Sequence, residues 1–236
     1  MTKKNVFLLL GQSNMVGLGS IDKSLLIENK QISVFNNNQW YIAKEPLHLD
    51  NPNAGIGLAM SFANQLIINS QKFDNISLIP LAVASTSLND WMPYSTLYDK
   101  IFTTLKNAKV DYSDIKGILW HQGESESKNI LRASSYADRL KFIINYLRKD
   151  LNNPELPVIS GALGDFLDHR FPLANIVNDQ LYLLEKQLDN FKVAHSTNLT
   201  PNNDLIHINS ESLVEFGKRY TEKFLSLENT INKVRA

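Results

Sequence analysis

A serine near the start of the chain and an acid and a base near its end have the residue types of a nucleophilic active site. Ser13 follows the apolar run from Val6 to Leu10, and Asp204 precedes His207 by three residues. A serine hydroxyl needs a base within hydrogen-bond reach to remove its proton. An imidazole that donates its Nδ1–H to a carboxylate keeps Nε2 free for that task. These residues therefore indicate covalent catalysis by an activated serine.

Each of these residues also has a purely structural interpretation. A serine after a strand is often the N-cap of the next helix. An acid three residues before a histidine often caps a helix beside a surface histidine. The position of Ser13 favours chemistry, because the run from Val6 to Leu10 is apolar on both faces and is typical of a central parallel strand. Ligands of open α/β sheets bind beyond the carboxyl ends of such strands.

Alternating apolar runs and amphipathic segments predict the fold that would position these residues. After the opening strand, we predict strands at 76–83, 115–120, 157–163 and 191–195, a short β-type run at 32–35, a loop at 40–53, and helices at 55–69, 97–108, 136–151, 174–188 and 210–227. This order indicates βαβ units with right-handed crossovers. The predicted fold class is α/β, a three-layer α/β/α sandwich with a five-stranded parallel sheet. We expect residues 1–236 to form a single domain.

Small polar residues follow three of these strands. They occupy positions 11–15, 84–87 and 121–124. The carboxyl ends of parallel strands meet at one edge of the sheet, so we expect these clusters to converge there with the Asp204–His207 loop. That convergence is the main sequence argument for an active site.

Composition excludes several classes of function. The 24 basic and 24 acidic residues balance, and no Lys/Arg cluster suggests a nucleic acid or an anionic membrane as a partner. The chain contains no cysteine, which excludes disulfides, thiolate nucleophiles and cysteine metal sites. The N-terminal apolar run is too short for a secretory signal, so we expect a cytoplasmic protein. No pattern indicates an oligomeric state.

Three sequence blocks resemble a known family. Gly-Gln-Ser-Asn-Met at 11–15 lacks the last glycine of the nucleophile elbow Gly-x-Ser-x-Gly, which disfavours the usual α/β-hydrolase fold. Together with Trp-His-Gln-Gly-Glu at 120–124 and Asp-x-x-His at 204–207, it is similar to the carbohydrate-directed branch of the SGNH hydrolases. That branch contains sialate O-acetylesterase-like proteins and the acetylxylan esterases of carbohydrate esterase family six.

The resemblance implies a role for each matching residue. Ser13 would be the nucleophile, His207 the general base and Asp204 its orienting acid. The oxyanion hole would combine backbone N–H groups, including those of Ser13 and Ser85, with the side-chain amide of Gln122. Residues with a supporting or substrate-binding role would be Gln12, Asn14, Glu124 and Trp91. Glu124 would support the histidine or its loop, or contact a sugar hydroxyl.

One block departs from the family pattern. Where the family usually has Gly-Gly-Thr-Ser before a tryptophan, this chain has Val83-Ala-Ser-Thr-Ser-Leu-Asn-Asp-Trp91. Ser85 then stands where a glycine N–H would point into the oxyanion hole. A serine N–H donates equally well unless the turn requires positive φ, which serine tolerates poorly. This departure leaves the efficiency of the oxyanion hole open.

Aromatic and histidine residues near these blocks have further interpretations. Trp91, Trp40 or Tyr94 would stack on a sugar ring or be half-buried structural aromatics, the latter being favoured for Trp40 and Tyr94. His121 and Glu124 provide two potential metal ligands, which are too few for a site. We interpret His121 as structural and expect neither a metal nor an organic cofactor.

The sequence thus predicts a serine esterase that removes O-acetyl groups from a small carbohydrate ester or polysaccharide, such as an acetylated sialic acid or a xylan-type sugar. A lipid or thioester hydrolase with the same fold is one alternative, because the fold does not determine the acyl acceptor. A carbohydrate-binding descendant without activity is another, favoured by the missing second-block glycines. The identity of the sugar and the position of its acetyl group do not follow from the sequence.

Overall fold

One seven-stranded sheet forms the centre of the protein. The computed structural model describes residues 4–235. Its strands are β1 (Val6–Gly11), β2 (Ile32–Asn36), β3 (Gln39–Ile42), β4 (Ile76–Pro80), β5 (Ile115–His121), β6 (Val158–Gly161) and β7 (Phe191–Ala194). Their order in the sheet is β3-β2-β4-β1-β5-β6-β7. All neighbouring pairs are parallel except β2 and β3.

The predicted α/β sandwich is confirmed, but the predicted number of five strands is wrong. The additional strands belong to the hairpin of β2 and β3 at one edge. Asn37 and Asn38, with φ of 49° and 59°, form its two-residue turn, as expected for a type I′ hairpin. Strand β3 occupies the start of the predicted 40–53 loop. Three of its four residues are exposed, so the strand carries no hydrophobic period that sequence could reveal.

Helices cover both faces of the sheet. They are α1 (Ser13–Val16), α2 (Leu58–Asn69), α3 (Thr96–Asn107), α4 (Ile130–Ser134), α5 (Tyr136–Asp150), α6 (Ala174–Gln187) and α7 (Ser210–Arg235). Side chains of β1 alternate between the layers, with Leu8 and Leu10 in the core beneath α3, α5 and α6, and Phe7 and Leu9 in the core beneath α2 and α7. Both faces of β1 are therefore buried, as its continuous apolar run predicts.

Helices α2 and α7 pack unusually closely on the face that carries Phe7. A Cβ atom at Gly217 would collide with the backbone carbonyl of Leu58, so glycine is required at this crossing. Thr221 on α7 donates from Oγ1 to the Phe62 carbonyl at 3.0 Å. The close crossing positions α7, which begins at Ser210 directly after the loop that carries His207.

A buried carboxyl group lies at the start of α2. Glu45 Oε1 accepts a hydrogen bond of 3.0 Å from the N–H of Gly57, while its Oε2 is buried without a partner. Burial raises the pKa of Glu45 to about 8, despite the backbone hydrogen bonds that favour its charged form. Between pH 4.5 and about pH 8, Glu45 keeps its proton in the folded protein but loses it in the unfolded chain. The free energy of unfolding should therefore fall as the pH rises through this range.

Replacing Glu45 with glutamine should remove this loss of stability. Between pH 6 and pH 9, the free energy of unfolding of the wild type should fall by about 3 kcal/mol relative to that of E45Q, because glutamine cannot ionise. Urea denaturation at both pH values measures the effect. The exposed Glu28→Gln variant serves as the control, and equal pH dependence in wild type and E45Q would contradict the prediction.

Candidate active site

Ser13 lies at the carboxyl end of the central strand. Gly11 ends β1 with φ of 130°, and a Cβ atom there would collide with the backbone of His121 on the neighbouring β5. This sharp turn places Ser13 as the first residue of α1, whereas Gln12 occupies the N-cap position without a capping side-chain bond. The interpretation of Ser13 as an N-cap is therefore wrong, and its hydroxyl is free for another partner.

Ser13, His207 and Asp204 form a hydrogen-bonded chain. Ser13 Oγ lies 3.0 Å from His207 Nε2, and His207 Nδ1 lies 2.6 Å from Asp204 Oδ2. The Ser13 residue is 7% exposed, while the side chains of His207 and Asp204 are 21% and 44% exposed. The serine thus lies at the base of the site and the acid lies near its rim.

The loop before α7 holds Asp204 against the imidazole. Asp204 Oδ1 accepts from the N–H groups of Ile206 and His207 at 2.8 and 2.9 Å. Burial alone would raise the pKa of Asp204, but these bonds and the imidazole hold it below its ordinary value. Asp204 therefore orients His207 through both the loop backbone and the ring, and does not cap a helix.

Glu124 and Asn14 connect the serine block to the histidine loop. Asn14 Nδ2 donates to the buried Glu124 Oε1 at 2.6 Å, and Asn14 Oδ1 accepts from the N–H of Ile208 at 2.9 Å. His121 Nε2 lies 3.6 Å from the same carboxylate. Burial opposes ionisation of Glu124, but the contacts with His121 and Asn14 hold its pKa below the ordinary value. The geometry supports the role of Glu124 and Asn14 in fixing the loop next to His207.

The side chain of Gln12 also makes a contact that stabilises the site. It is 4% exposed, and its Oε1 accepts from the backbone N–H of Gly123, two residues after β5, at 3.5 Å. This contact links the turn before Ser13 to the neighbouring strand.

Gln122 does not occupy the position that the resemblance implies. Its side chain is completely buried, and Nε2 donates to the Thr86 carbonyl at 3.2 Å and to Glu126 Oε2 at 2.8 Å. Both amide hydrogens are therefore already used. The prediction that Gln122 donates into the oxyanion hole is therefore wrong. Its side chain instead stabilises the turn that contains Ser85, through the bond to the Thr86 carbonyl.

The backbone N–H groups of Ser13 and Ser85 donate no hydrogen bond within the described residues. Val83 N donates to the Gly11 carbonyl at 3.0 Å, which ties the Ser85 turn to the end of β1. This edge of the sheet therefore carries two free backbone donors of the kind that an oxyanion requires.

Ser85 adopts a backbone conformation that is unfavourable for serine. Its φ is 63°, in the left-handed region, and the residue is exposed. A non-glycine residue there costs free energy that glycine avoids. The turn thus keeps the shape expected of the family glycine, with serine in its place.

Glycine at position 85 should consequently stabilise the fold. S85G is expected to raise the free energy of unfolding by about 0.5–1 kcal/mol, since the relief of strain exceeds the entropy that glycine adds to the unfolded chain. Urea denaturation measures the change. The matched control is S87G, at φ of −103° in a capping box, which should lose stability. A loss in both variants would show that Ser85 is unstrained.

Trp91 is not available for a sugar. It is 1% exposed, its Nε1 donates to Thr86 Oγ1 at 3.1 Å, and its ring packs edge-on against Trp120 with centroids 5.6 Å apart. The prediction that Trp91 stacks on substrate is therefore wrong, because the short helix after Ser87 turns the indole into the core.

Two charged residues escaped the sequence analysis. Glu126 is completely buried and accepts from Leu88 N, Gln122 Nε2 and Arg139 Nη1 at 3.0, 2.8 and 3.3 Å. Arg170 Nη2 donates to the Asp204 carbonyl at 2.8 Å. Both residues stabilise loops of the site. They lie in segments without a recognisable motif, so their roles follow only from the three-dimensional structure.

The described residues contain no cluster of three or more His, Cys, Asp or Glu side chains that would hold a metal ion. Nor does any helix among them combine the length and apolar character needed to span a membrane.

Comparison with known proteins gives concordant matches. A family model described as a carbohydrate esterase, sialic acid-specific acetylesterase, matches residues 3–226. A probable carbohydrate esterase of Arabidopsis thaliana is 32% identical over 244 residues, which cover 94% of this chain and 90% of that protein.

Solved structures also match over most of the chain. The X-ray structure of an Arabidopsis thaliana protein has a TM-score of 0.85 at 28% identity, covering 94% of this chain and 98% of that one. NanS has a TM-score of 0.76 at 14% identity, with 96% and 98% covered. A carbohydrate acetylesterase from Xanthomonas citri has a TM-score of 0.72 at 17% identity, with 93% and 55% covered. The last two matches bear on the fold alone.

Proposed function

The chain belongs to the carbohydrate esterase family of sialic acid-specific acetylesterases, and on that premise we propose that Ser13, His207 and Asp204 remove O-acetyl groups from sugars through an acyl-enzyme. Family membership makes the protein a carboxylic ester hydrolase directed at acetylated carbohydrates. The observation that supports the triad is the continuous chain from Ser13 Oγ through His207 to Asp204, with distances of 3.0 and 2.6 Å.

In the first half-reaction, Ser13 Oγ attacks the acetyl carbonyl carbon while His207 Nε2 takes the hydroxyl proton. Asp204 accepts a hydrogen bond from the Nδ1–H of His207 and stabilises the imidazolium that results. The N–H groups of Ser13 and Ser85 bind the oxygen of the tetrahedral intermediate. Protonated His207 then gives its proton to the departing sugar oxygen, which leaves an acetyl group on Ser13.

In the second half-reaction, water replaces the sugar. His207 removes a proton from the water, which attacks the acetyl carbonyl, and the collapse of the second intermediate returns that proton to Ser13 Oγ with release of acetate. This cycle uses side chains and backbone N–H groups alone. We further propose that residues 1–236 act as one esterase domain, consistent with a single sheet in which Ser13 follows β1 and the Asp204–His207 loop follows β7.

Acyl preference tests the proposal. The purified protein should release acetate from O-acetylated sugars and hydrolyse 4-nitrophenyl acetate with a higher kcat/KM than the butyrate or octanoate ester. A preference for octanoate would favour the lipid hydrolase, and binding of a sugar without turnover of any ester would favour the non-catalytic alternative. Either result would overturn the proposed reaction.

A further inference from the structure

The loop after β4 carries Ser85, whose backbone N–H is one of the two proposed oxyanion donors. Hydrogen bonds hold this loop on both sides of Ser85. Before it, Val83 N donates to the Gly11 carbonyl at 3.0 Å. After it, the Thr86 carbonyl and the Leu88 N–H both bond to side chains of the segment that follows β5. The position of the Ser85 N–H therefore depends on the side chains that make those later bonds.

One buried carboxylate makes or supports both of the later bonds. Glu126 is 0% exposed, and its Oε1 accepts from the Leu88 N–H at 3.0 Å. Its Oε2 accepts from Gln122 Nε2 at 2.8 Å, and the same nitrogen donates to the Thr86 carbonyl at 3.2 Å. The carboxylate thus holds the loop at two points, directly at Leu88 and through Gln122 at Thr86.

Glu126 also determines the direction of the Gln122 amide. The Tyr136 hydroxyl donates to the Gln122 backbone carbonyl at 2.6 Å, which fixes the main chain at this residue. Gln122 Oε1 is buried and has no hydrogen-bond partner in the part of the chain that the structure describes. The two acceptors that face Nε2 therefore set the orientation of the amide. Of these two, the charged carboxylate of Glu126 forms the stronger bond.

Arg139 balances the buried charge and adds a third contact with the same loop. Its Nη1 lies 3.3 Å from Glu126 Oε1, and its side chain is 19% exposed. Its Nη2 donates to Asn89 Oδ1 at 2.8 Å. A buried carboxylate is costly unless it is paired and fully hydrogen-bonded. The pair with Arg139 offsets that cost and connects the carboxylate to the loop once more.

We propose that Glu126, paired with Arg139, is a positioning residue for oxyanion stabilisation, which holds the loop after β4 so that the Ser85 N–H is directed at the oxygen of the tetrahedral intermediate. This inference rests on the proposed function. An oxyanion donor is most effective when it is fixed before the charge develops. The substrate carbonyl is neutral before the attack and charged after it, so displacement of the donor should lower kcat and leave KM nearly unchanged.

Glutamine at position 126 tests this role because it keeps the shape of the side chain. Its amide oxygen should take the place of Oε1, which faces two donors, the Leu88 N–H and Arg139. Its amide nitrogen then faces Gln122 Nε2, so the Gln122 amide must turn and lose its bond to Thr86. E126Q should lower kcat for 4-nitrophenyl acetate by roughly tenfold with KM unchanged, since loss of a whole oxyanion donor costs about 10²–10³-fold.

Two further measurements distinguish this role from damage to the triad. 1,1,1-Trifluoroacetone adds reversibly to an activated serine: Ser13 Oγ bonds to the ketone carbon, its proton passes to His207, and the ketone oxygen becomes an oxyanion. The inhibition constant should rise in E126Q by about the factor by which kcat falls, because both depend on oxyanion binding. The pH profile of kcat should keep its midpoint, because the hydrogen bonds of Glu126 reach neither His207 nor Asp204.

Glu45→Gln is the matched control. Glu45 is also a buried carboxylate that accepts from a backbone N–H, that of Gly57, but it lies at the start of α2 and not beside Ser85. E45Q should leave kcat and the inhibition constant unchanged. Urea denaturation establishes that each variant is folded.

Arg139→Gln provides a second variant for the case in which E126Q does not fold. It removes the charge beside Glu126 and the contact with Asn89 but leaves the bonds of Gln122 in place. R139Q should therefore lower kcat by a smaller factor than E126Q, again with KM unchanged and with a parallel rise in the inhibition constant.

The outcomes separate this inference from the proposed function. An active esterase in which folded E126Q, or R139Q in its place, has an unchanged kcat or an unchanged inhibition constant overturns the role of Glu126 alone. A wild type that hydrolyses no ester but binds trifluoroacetone, more weakly after the substitution, supports the positioning role and overturns the proposed function. Absence of both hydrolysis and trifluoroacetone binding overturns both.

Discussion

Replacement of Ser13 by alanine is expected to reduce kcat for 4-nitrophenyl acetate by about 10⁴-fold or more. The hydroxyl lies 3.0 Å from His207 Nε2, so its loss removes the nucleophile and the proton that the imidazole is positioned to accept. Because the residue is small and lies at the start of a four-residue helix, the substitution should leave the fold intact. Residual hydrolysis would come from binding and from the oxyanion donors.

Other serines at the same edge of the sheet provide the control. S87A should retain activity, and urea denaturation of S13A should match the wild type. A sulfonyl fluoride should add one adduct to Ser13 of the wild type, located by mass spectrometry, and none to S13A. Retention of activity in S13A together with an adduct on Ser85 would show that Ser85, and not Ser13, is the nucleophile.

The central strands were predictable because burial on both faces leaves an unambiguous record in the sequence. Strand β1 alternates its side chains between two helical layers and is marked by a continuous apolar run. Strand β5 is buried at six of its seven positions and is marked by an apolar run that only Lys116 interrupts. Strand β3 leaves no such record, because an edge strand with three exposed residues of four has no face to bury. Asn37 and Asn38, which follow the predicted β-type run at 32–35, form the turn of this hairpin.

The candidate site was predictable where residues act within one short block. The positions of Ser13 and of the Asp204–His207 turn follow from strand ends and loop spacing. The orientation of Gln122 and the burial of Trp91 do not, because they depend on side chains whose positions are set by tertiary packing. Glu126 competes for the Gln122 amide at 2.8 Å, and Trp120 receives the Trp91 ring. A motif identifies which residues gather at the site, while packing decides where each side chain points.

The carboxylate of Asp204 has two oxygens with separable tasks. Oδ1 accepts from the N–H groups of Ile206 and His207, and Oδ2 faces His207 Nδ1. In an Asp204→Asn variant, the amide oxygen can replace Oδ1, since an amide nitrogen there would oppose two backbone donors. The amide N–H₂ then faces Nδ1 and forces the proton of a neutral imidazole onto Nε2. His207 would be held in place but unable to accept the Ser13 proton.

Asparagine at position 204 should therefore lower kcat by about 10²–10³-fold with little effect on stability. This loss is smaller than the roughly 10⁴-fold seen for a buried triad acid, because the Asp204 side chain is 44% exposed and water can partly replace it. Steady-state kinetics with 4-nitrophenyl acetate and urea denaturation measure the two effects.

Asp22 offers the matched control for this substitution. Its Oδ1 accepts from the N–H of Ser24 at 2.9 Å, in a comparable turn that contains no imidazole, so D22N should leave kcat unchanged. D204A, which also removes the backbone contacts of Oδ1, should lose both activity and stability of the loop. If D204N retained full activity while D204A lost it, the carboxylate would act only by shaping the loop, and the orienting role of its second oxygen would be wrong.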